Sequence, residues 1–390
     1  MSSRRAVLGG MAGSLAGLWW GMPGLALAAA PAERRLVVVL LRGGMDGLSV
    51  VPAIGDPDFV AARQGLAPDP RSLHRLDAMF ALHPRLLALA GMYARGELAV
   101  IHAVATPYRE RSHFDGQNLL ESGDEAPYAR DSGWLNRALA GLSLPGSRRS
   151  GGIALNAALP LILRGTAGVT SWSPAAMPGP DLDTEQRLAQ LYAHTDPALA
   201  DAFARAARAN GVAARPGPGG RAFSALMEAA ARFLKQPDGP RVAVAEIGGW
   251  DTHVNQATEN GALANNLGSL DRGIEALRLE LGPLWAHTAV LAISEFGRTV
   301  AQNGTRGTDH GTGGAMFLAG GAVRGGRVVV DWPGLKPAQR HEGRDLLPTT
   351  DFRAVALGVL RDHMGLEAAH HSSVFPATRP VRPLDGLIVG

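Results

Sequence analysis

Three carboxylates in this chain stand directly behind apolar runs. Leu36 to Leu41 (LVVVLL) leads into Arg42-Gly43-Gly44-Met45-Asp46-Gly47. Arg241 to Ile247 (RVAVAEI) leads into Gly248-Gly249-Trp250-Asp251-Thr252-His253, and Thr288 to Ile293 into Ser294-Glu295-Phe296-Gly297-Arg298. A polar, glycine-rich loop then ends in Asp309-His310-Gly311, ahead of a further apolar run from Ala315 to Ala319. Three carboxylates facing one crevice repel one another, and their pKa values rise unless a cation neutralises them. With His253 and His310 beside two of the run ends, the donors are oxygen and imidazole without thiolate. That set suits zinc, manganese, magnesium or calcium. A divalent pair held there would clamp an oxyanion and activate a nucleophile. Asp46, Asp251, His253, Glu295 and His310 are therefore the candidate metal ligands. The plainer alternative makes Glu295 and Asp309 loop carboxylates satisfied by Arg298 and Arg306.

A fourth apolar run, Leu98 to Val104, precedes Thr106-Pro107-Tyr108-Arg109-Glu110-Arg111-Ser112-His113-Phe114-Asp115. Ser112 has the position of a helix N-cap, with Asp115 three residues on and Leu119 and Leu120 following. A serine at a helix start is also how a nucleophile or anion site is built, because free N–H groups and the helix dipole favour negative charge there. Ser112 is thus the candidate nucleophile or oxyanion anchor, and His113 a proton donor or a packing residue. Arg111 and Arg298 are the candidates to neutralise a substrate oxyanion.

These groups need a scaffold that brings the ends of several runs together. Uninterrupted apolar runs read as strands buried on both faces, as in a parallel sheet. In such sheets ligands bind in the crevice beyond the carboxyl ends of the strands. Helices are expected over 76–95, 133–142, 189–209, 222–235 and 263–281, with another capped by Thr349-Thr350-Asp351 and running to His363. Gly152 to Leu163 reads as a looser strand pair. The block 145–235 has no strong apolar strand and reads as an inserted helical cap. The expected architecture is α/β: a central, mostly parallel sheet with helices on both faces.

The 390 residues are 46% hydrophobic and 19% charged, enough apolar content for one large core or two smaller ones. The formal charge of +3 includes Arg4 and Arg5, and lysine occurs only at Lys235 and Lys336. With no lysine cluster and no basic patch interleaved with aromatics, nucleic acid is not an expected partner. There is no cysteine, which excludes disulfides, thiolate metal sites and a cysteine nucleophile. Ser3-Arg4-Arg5-Ala6-Val7-Leu8 forms a twin-arginine pattern ahead of an uncharged stretch, and Ala26-Leu27-Ala28 offers a cleavage site. Residues 1–28 are expected to be a twin-arginine signal peptide, and 29–390 a single domain. The protein is then exported or periplasmic by way of the twin-arginine machinery, with no stable membrane span after cleavage.

The order of motifs resembles the alkaline phosphatase-like superfamily of phosphatases, sulfatases, phosphodiesterases and cofactor-independent phosphoglycerate mutases. Asp46, Ser112, Asp251, Glu295 and His310 fall in the superfamily's order on matching elements. The chain resembles more closely still an exported bacterial family, domain of unknown function 1501, in its twin-arginine start and in GGMDG, RSHF, GGWDTH, SEFGRT and DHGTGG. The resemblance implies a three-layer α/β sandwich and a metal-dependent hydrolase or transferase acting on a small-molecule phosphate or sulfate ester. The alternative is a non-catalytic descendant that binds a ligand or an exported partner protein around a structural metal. Three positions depart from the superfamily pattern. Glu295 stands for an Asp, Phe296 takes the place of a histidine ligand, and Asn255 stands where a histidine would follow Asp251, leaving His253 as substitute.

Overall fold

Period-two alternation inside fully apolar segments decides the architecture. In β1 (Arg35–Leu41), Val37, Val39 and Leu41 enter one hydrophobic core, while Leu36, Val38 and Leu40 enter another on the opposite face. A strand whose two faces are both buried must lie between two layers, and the computed structural model has that form. It describes residues 34–142, 151–174, 182–213, 223–257 and 261–390, all within the compact unit Pro31–Gly390. The twin-arginine segment lies outside the described residues.

The strands follow in chain order: the short hairpin of β2 (His74–Arg75) and β3 (Ala81–Leu82), then β4 (Leu98–Ala105), β5 (Gly152–Ala154), β6 (Val169–Ser171), β7 (Val242–Ile247), β8 (Thr288–Ile293), β9 (Gly314–Ala319), β10 (Arg327–Val329) and β11 (Thr350–Asp351). The main sheet has nine strands in the order β10-β4-β9-β8-β1-β7-β5-β6, with β11 also paired to β4. All pairings are parallel except those of β9, which runs against both β4 and β8. The register sets Leu41 opposite Ile247 and Leu40 opposite Ile293, so β1, β7 and β8 finish level with one another. One sheet edge therefore gathers the carboxyl ends of β1, β4, β7 and β8 and the amino end of β9.

The helices are α1 (Gly47–Val50), α2 (Phe59–Arg63), α3 (Leu87–Ala94), α4 (His113–Ser122), α5 (Trp134–Gly141), α6 (Leu182–Thr195), α7 (Pro197–Ala213), α8 (Phe223–Lys235), α9 (Ala262–Leu281) and α10 (Phe352–Val359). Leu89 of α3, Met227 of α8 and Leu267, Leu270 and Ile274 of α9 close one core. Leu120 of α4, Leu135 of α5 and Phe352 and Val355 of α10 close the other. Among the described residues, no helix is long and apolar enough to cross a membrane.

Three expected segments are redrawn. Only Leu87–Ala94 of the span 76–95 is helical, because Ala81 and Leu82 pair with His74 and Arg75 and Pro84 follows them. The helix expected over 189–209 is two helices: Pro197 opens the second, and the Asp196 carboxylate accepts the N–H groups of Ala198 and Leu199. The block 145–235 is not one insertion. β5 and β6 extend the central sheet beside β7, and α8 packs on α9 in the core, leaving α6 and most of α7 exposed.

Candidate metal centre

The predicted residues gather at this sheet edge, and the chain's local chemistry explains how. After β4 the backbone passes through Arg111 in the left-handed region (φ 65°) and turns into α4, which Ser112 caps by accepting the Asp115 N–H at 3.5 Å. His113 is the first helical residue, and its Nδ1 lies 2.8 Å from Oε1 of Glu295. Glu295, fully buried at the end of β8, also accepts the Gly43 N–H at 2.9 Å and Nε2 of Gln117 at 3.2 Å. Phe296 is buried with its ring centroid 4.9 Å from that of His113 and 5.3 Å from that of His310. Gly44 makes room for it: with φ at +69°, a Cβ there would fall 2.6 Å from the Phe296 ring. The residue that departs from the resembled pattern thus wedges two imidazoles in place.

The other two imidazoles come from loops. His253 follows β7, with Nδ1 3.1 Å from Oδ1 of Asp309. His310 precedes β9, with Nδ1 2.8 Å from the Arg111 carbonyl oxygen. All three Nδ1 atoms therefore face oxygen acceptors. Assigned from these partners, a neutral ring keeps its proton on Nδ1 and leaves Nε2 a bare lone pair. The three bare atoms converge on Oδ1 of Asp251, at 3.0 Å from His253, 3.3 Å from His310 and 3.5 Å from His113. The Nε2 atoms of His253 and His310 are 3.1 Å apart, and Nε2 of His113 is buried without a hydrogen-bond partner. Lone pairs placed tip to tip need a proton or a metal ion between them. Tetrahedral ligands about 2.1 Å from zinc stand about 3.4 Å from each other, which matches these spacings. His113, Asp251 and His310 each offer a ligand atom within 4.8 Å of the others, so they could hold a metal ion.

The hydrogen bond to Glu295 raises the pKa of His113 against the opposing effect of burial. Burial lowers that of His310, helped by the charges of His113 and Arg298. The two rings therefore do not both gain protons readily. Burial disfavours the charged form of Asp251, but Arg298 outweighs it and holds the carboxyl below its ordinary range.

Asp46, Glu295, Arg111 and Arg298 do different work from that expected of a ligand or substrate contact, and Ser112 keeps its capping role. The Asp46 carboxylate turns inward, caps α1 and pairs with the buried Arg63 at 2.5 Å. Burial works against its ionisation, yet Arg63, Gln256 and Ser49 keep its pKa low. Glu295 holds His113 by its Nδ1 and is closed off from solvent, so it is a partner of a ligand and not itself one. The Ser112 hydroxyl serves as a helix cap, and His113 is the group presented to the cluster. Arg111 bonds Asp345 at 2.8 Å and Glu342 at 2.5 Å and contributes its carbonyl to His310. Arg298 spends Nη1 on Asp251 at 2.6 Å, Nη2 on the Thr308 carbonyl at 2.6 Å and Nε on the Thr308 hydroxyl at 3.1 Å. Each of its three nitrogens is thus engaged within the protein, and the side chain is buried.

Sequence reasoning missed Arg63, Gln256 and Thr308, which tie the layers beneath the site together. The Gln256 amide donates to Asp46 at 2.5 Å, and its oxygen accepts the hydroxyls of Thr252 at 2.7 Å and Thr308 at 2.6 Å. A buried polar chain thus runs from Arg63 through Asp46, Gln256 and Thr308 to Arg298 and Asp251. Gln256 sits five residues beyond Asp251 and carried a faint signal as a polar residue in that motif. Arg63 lies on α2, outside every motif singled out in the sequence, and carried none.

Comparison with known proteins adds a family and a set of distant shapes. Residues 95–378 match the family described as Protein of unknown function (DUF1501). No curated protein matches the chain significantly. Solved structures similar to it include the C-terminal periplasmic domain of EcEptC from Escherichia coli in complex with Zn, at 10% identity over 74% of this chain and 73% of that one, TM-score 0.37. Alkaline phosphatase from the Antarctic bacterium TAB5 matches at 14% identity over 74% of this chain and 91% of that one, TM-score 0.36. The phosphonate monoester hydrolase of Agrobacterium radiobacter matches at 11% over 86% and 74%, TM-score 0.35.

Proposed function

The chain belongs to the DUF1501 family, and from the centre at its sheet edge we propose a metal-dependent hydrolase or transferase acting on a phosphate or sulfate ester. The observation that carries this reading is the convergence of three Nε2 lone pairs on Asp251, each imidazole tethered through Nδ1 to an oxygen. His113, Asp251 and His310 would hold the ion, with His253 as a fourth donor. An imidazole-rich set favours zinc or another transition ion over magnesium or calcium. When bound, the ion would supply Lewis-acid stabilisation of negative charge on an ester oxygen. Glu295, Asp309 and the Arg111 carbonyl hold the ring tautomers, as outer-shell acceptors do for metal-binding histidines. The start of α4 brings its free N–H groups beside the cluster, where an anionic substrate is favoured. The motif order shared with the alkaline phosphatase-like superfamily supports the ester class, and the twin-arginine pattern supports action outside the cytoplasm.

The capping role of Ser112 favours a second reading, in which the centre binds an anionic ligand or an exported partner protein without turnover. One experiment separates the two. Protein dialysed against a mild chelator is analysed for metal, then assayed with a phosphate monoester, a phosphodiester and a sulfate ester, with and without added zinc. The enzyme reading expects metal-dependent turnover of at least one ester, abolished by Asp251→Asn. Bound metal with none of the three esters turned over leaves the binding reading.

A further inference from the structure

We infer that the centre holds one metal ion per chain, the buried guanidinium of Arg63 taking the place of the second cation that three carboxylates call for. This rests on the metal-centre reading above and concerns how many ions it admits. A carboxylate has roughly four lone-pair sites, and those of Asp46 are all spent. Its Oδ1 accepts the N–H groups of Leu48 at 3.1 Å and Ser49 at 3.2 Å. Its Oδ2 accepts Ser49 Oγ at 2.9 Å, Arg63 Nη2 at 2.5 Å and Gln256 Nε2 at 2.5 Å.

Arg63 cannot step aside for an ion without stranding other groups. Its Nη1 also holds the carbonyl oxygens of Thr299 at 3.1 Å and Val300 at 2.9 Å. Both members of the pair are closed off from solvent. Glu295 is similarly consumed: three donors meet Oε1, and Ser294 Oγ lies 3.0 Å from Oε2. Phe296, the neighbour that would complete a second ligand set, has no lone pair to give. Of the three carboxylates at the sheet edge, only Asp251 is open, with 43% of its side chain exposed. Asp46 has a resident cation in Arg63 and Asp251 one in Arg298, while Glu295 is satisfied by the three donors that meet its Oε1. The charge balance that called for two ions is met by the protein, and the bare imidazole lone pairs call for one.

The test is elemental analysis of the purified protein after zinc loading and dialysis, joined to a zinc titration of the double variant Asp46→Asn/Arg63→Met. That variant removes both charges of the ion pair together, so neither is left buried without its partner. One zinc per chain in the unmodified protein is expected, with less than about a tenfold loss of affinity in the double variant. Two retained ions per chain, or a larger loss in the folded double variant, overturn the inference. No zinc at all overturns the metal-centre reading beneath it. If the double variant does not fold, the count in the unmodified protein decides alone.

Discussion

At the scale of single residues, the centre is defined by where lone pairs point. His310→Ala removes one of three converging nitrogens and should weaken zinc binding by roughly a hundredfold or more, beyond what loss of an outer partner costs. The same variant without metal should melt within a few degrees of the unmodified protein, since His310 is only half-buried. Isothermal titration and thermal melting read the two effects separately, and unchanged zinc affinity would remove His310 from the centre. Phe296→Ala opens a cavity beside two imidazoles and should cost about 3 kcal/mol, measured by denaturant unfolding, while also loosening the zinc. Asp251, His253 and His310 could be singled out in the sequence because chemistry-bearing residues cluster directly behind or ahead of strands, and the structure brings the three together. Asp46 obeyed the same rule and was misread. A carboxylate after a strand looks alike in sequence whether it faces a crevice or caps a four-residue helix. What decides is Arg63, seventeen residues away on another helix.

At the scale of elements, β1, β4, β7, β8 and β9 could be read because each is a largely apolar run with most of its residues buried on both faces. Of the short strands, β5 falls within the strand pair expected over 152–163, but its partner is β6 outside that span; β6, β10 and β11 could not be read, since two or three residues carry no period. Within β4, burial pushes His102 from 6.5 down to about 4, against the opposing pull of the Val51 carbonyl and the Asp46 charge. Its Nδ1 accepts the Ala103 N–H at 2.8 Å, so a second ring proton would face a donor. Burial likewise lowers His363, from 6.5 to about 4. The unfolded chain takes up these protons near its ordinary histidine pKa, whereas the folded chain resists until about pH 4. Their contribution is therefore complete above the unfolded value and is lost as pH falls from about 6.5 towards 4, on the order of 3 kcal/mol for each. Melting temperatures should fall between about pH 7.5 and about pH 5, and His102→Gln should make that fall shallower. An identical slope in the variant would clear His102 of the acid sensitivity.

At the scale of the molecule, two cores sandwich the sheet, and α6 with most of α7 lies outside both. Replacing 182–213 by a short flexible linker should leave the protein folded and its zinc content unchanged; loss of the ion would tie this helix pair to the centre. Because β9 alone runs backwards, the centre takes one imidazole from the residues leading into a strand and the other two from residues following strands. Its partners are far apart along the chain: His113 and Glu295 by 182 positions, His310 and Arg111 by 199. A polypeptide growing on the ribosome therefore gains one imidazole at His113 and a second only at His253, and owns no site until His310 has followed. A fragment ending at residue 300 should bind no zinc tightly. Capture of an ion at this centre would then be a late event, possible only once nearly the whole sheet has closed, and metal content would serve as a clock for completed folding.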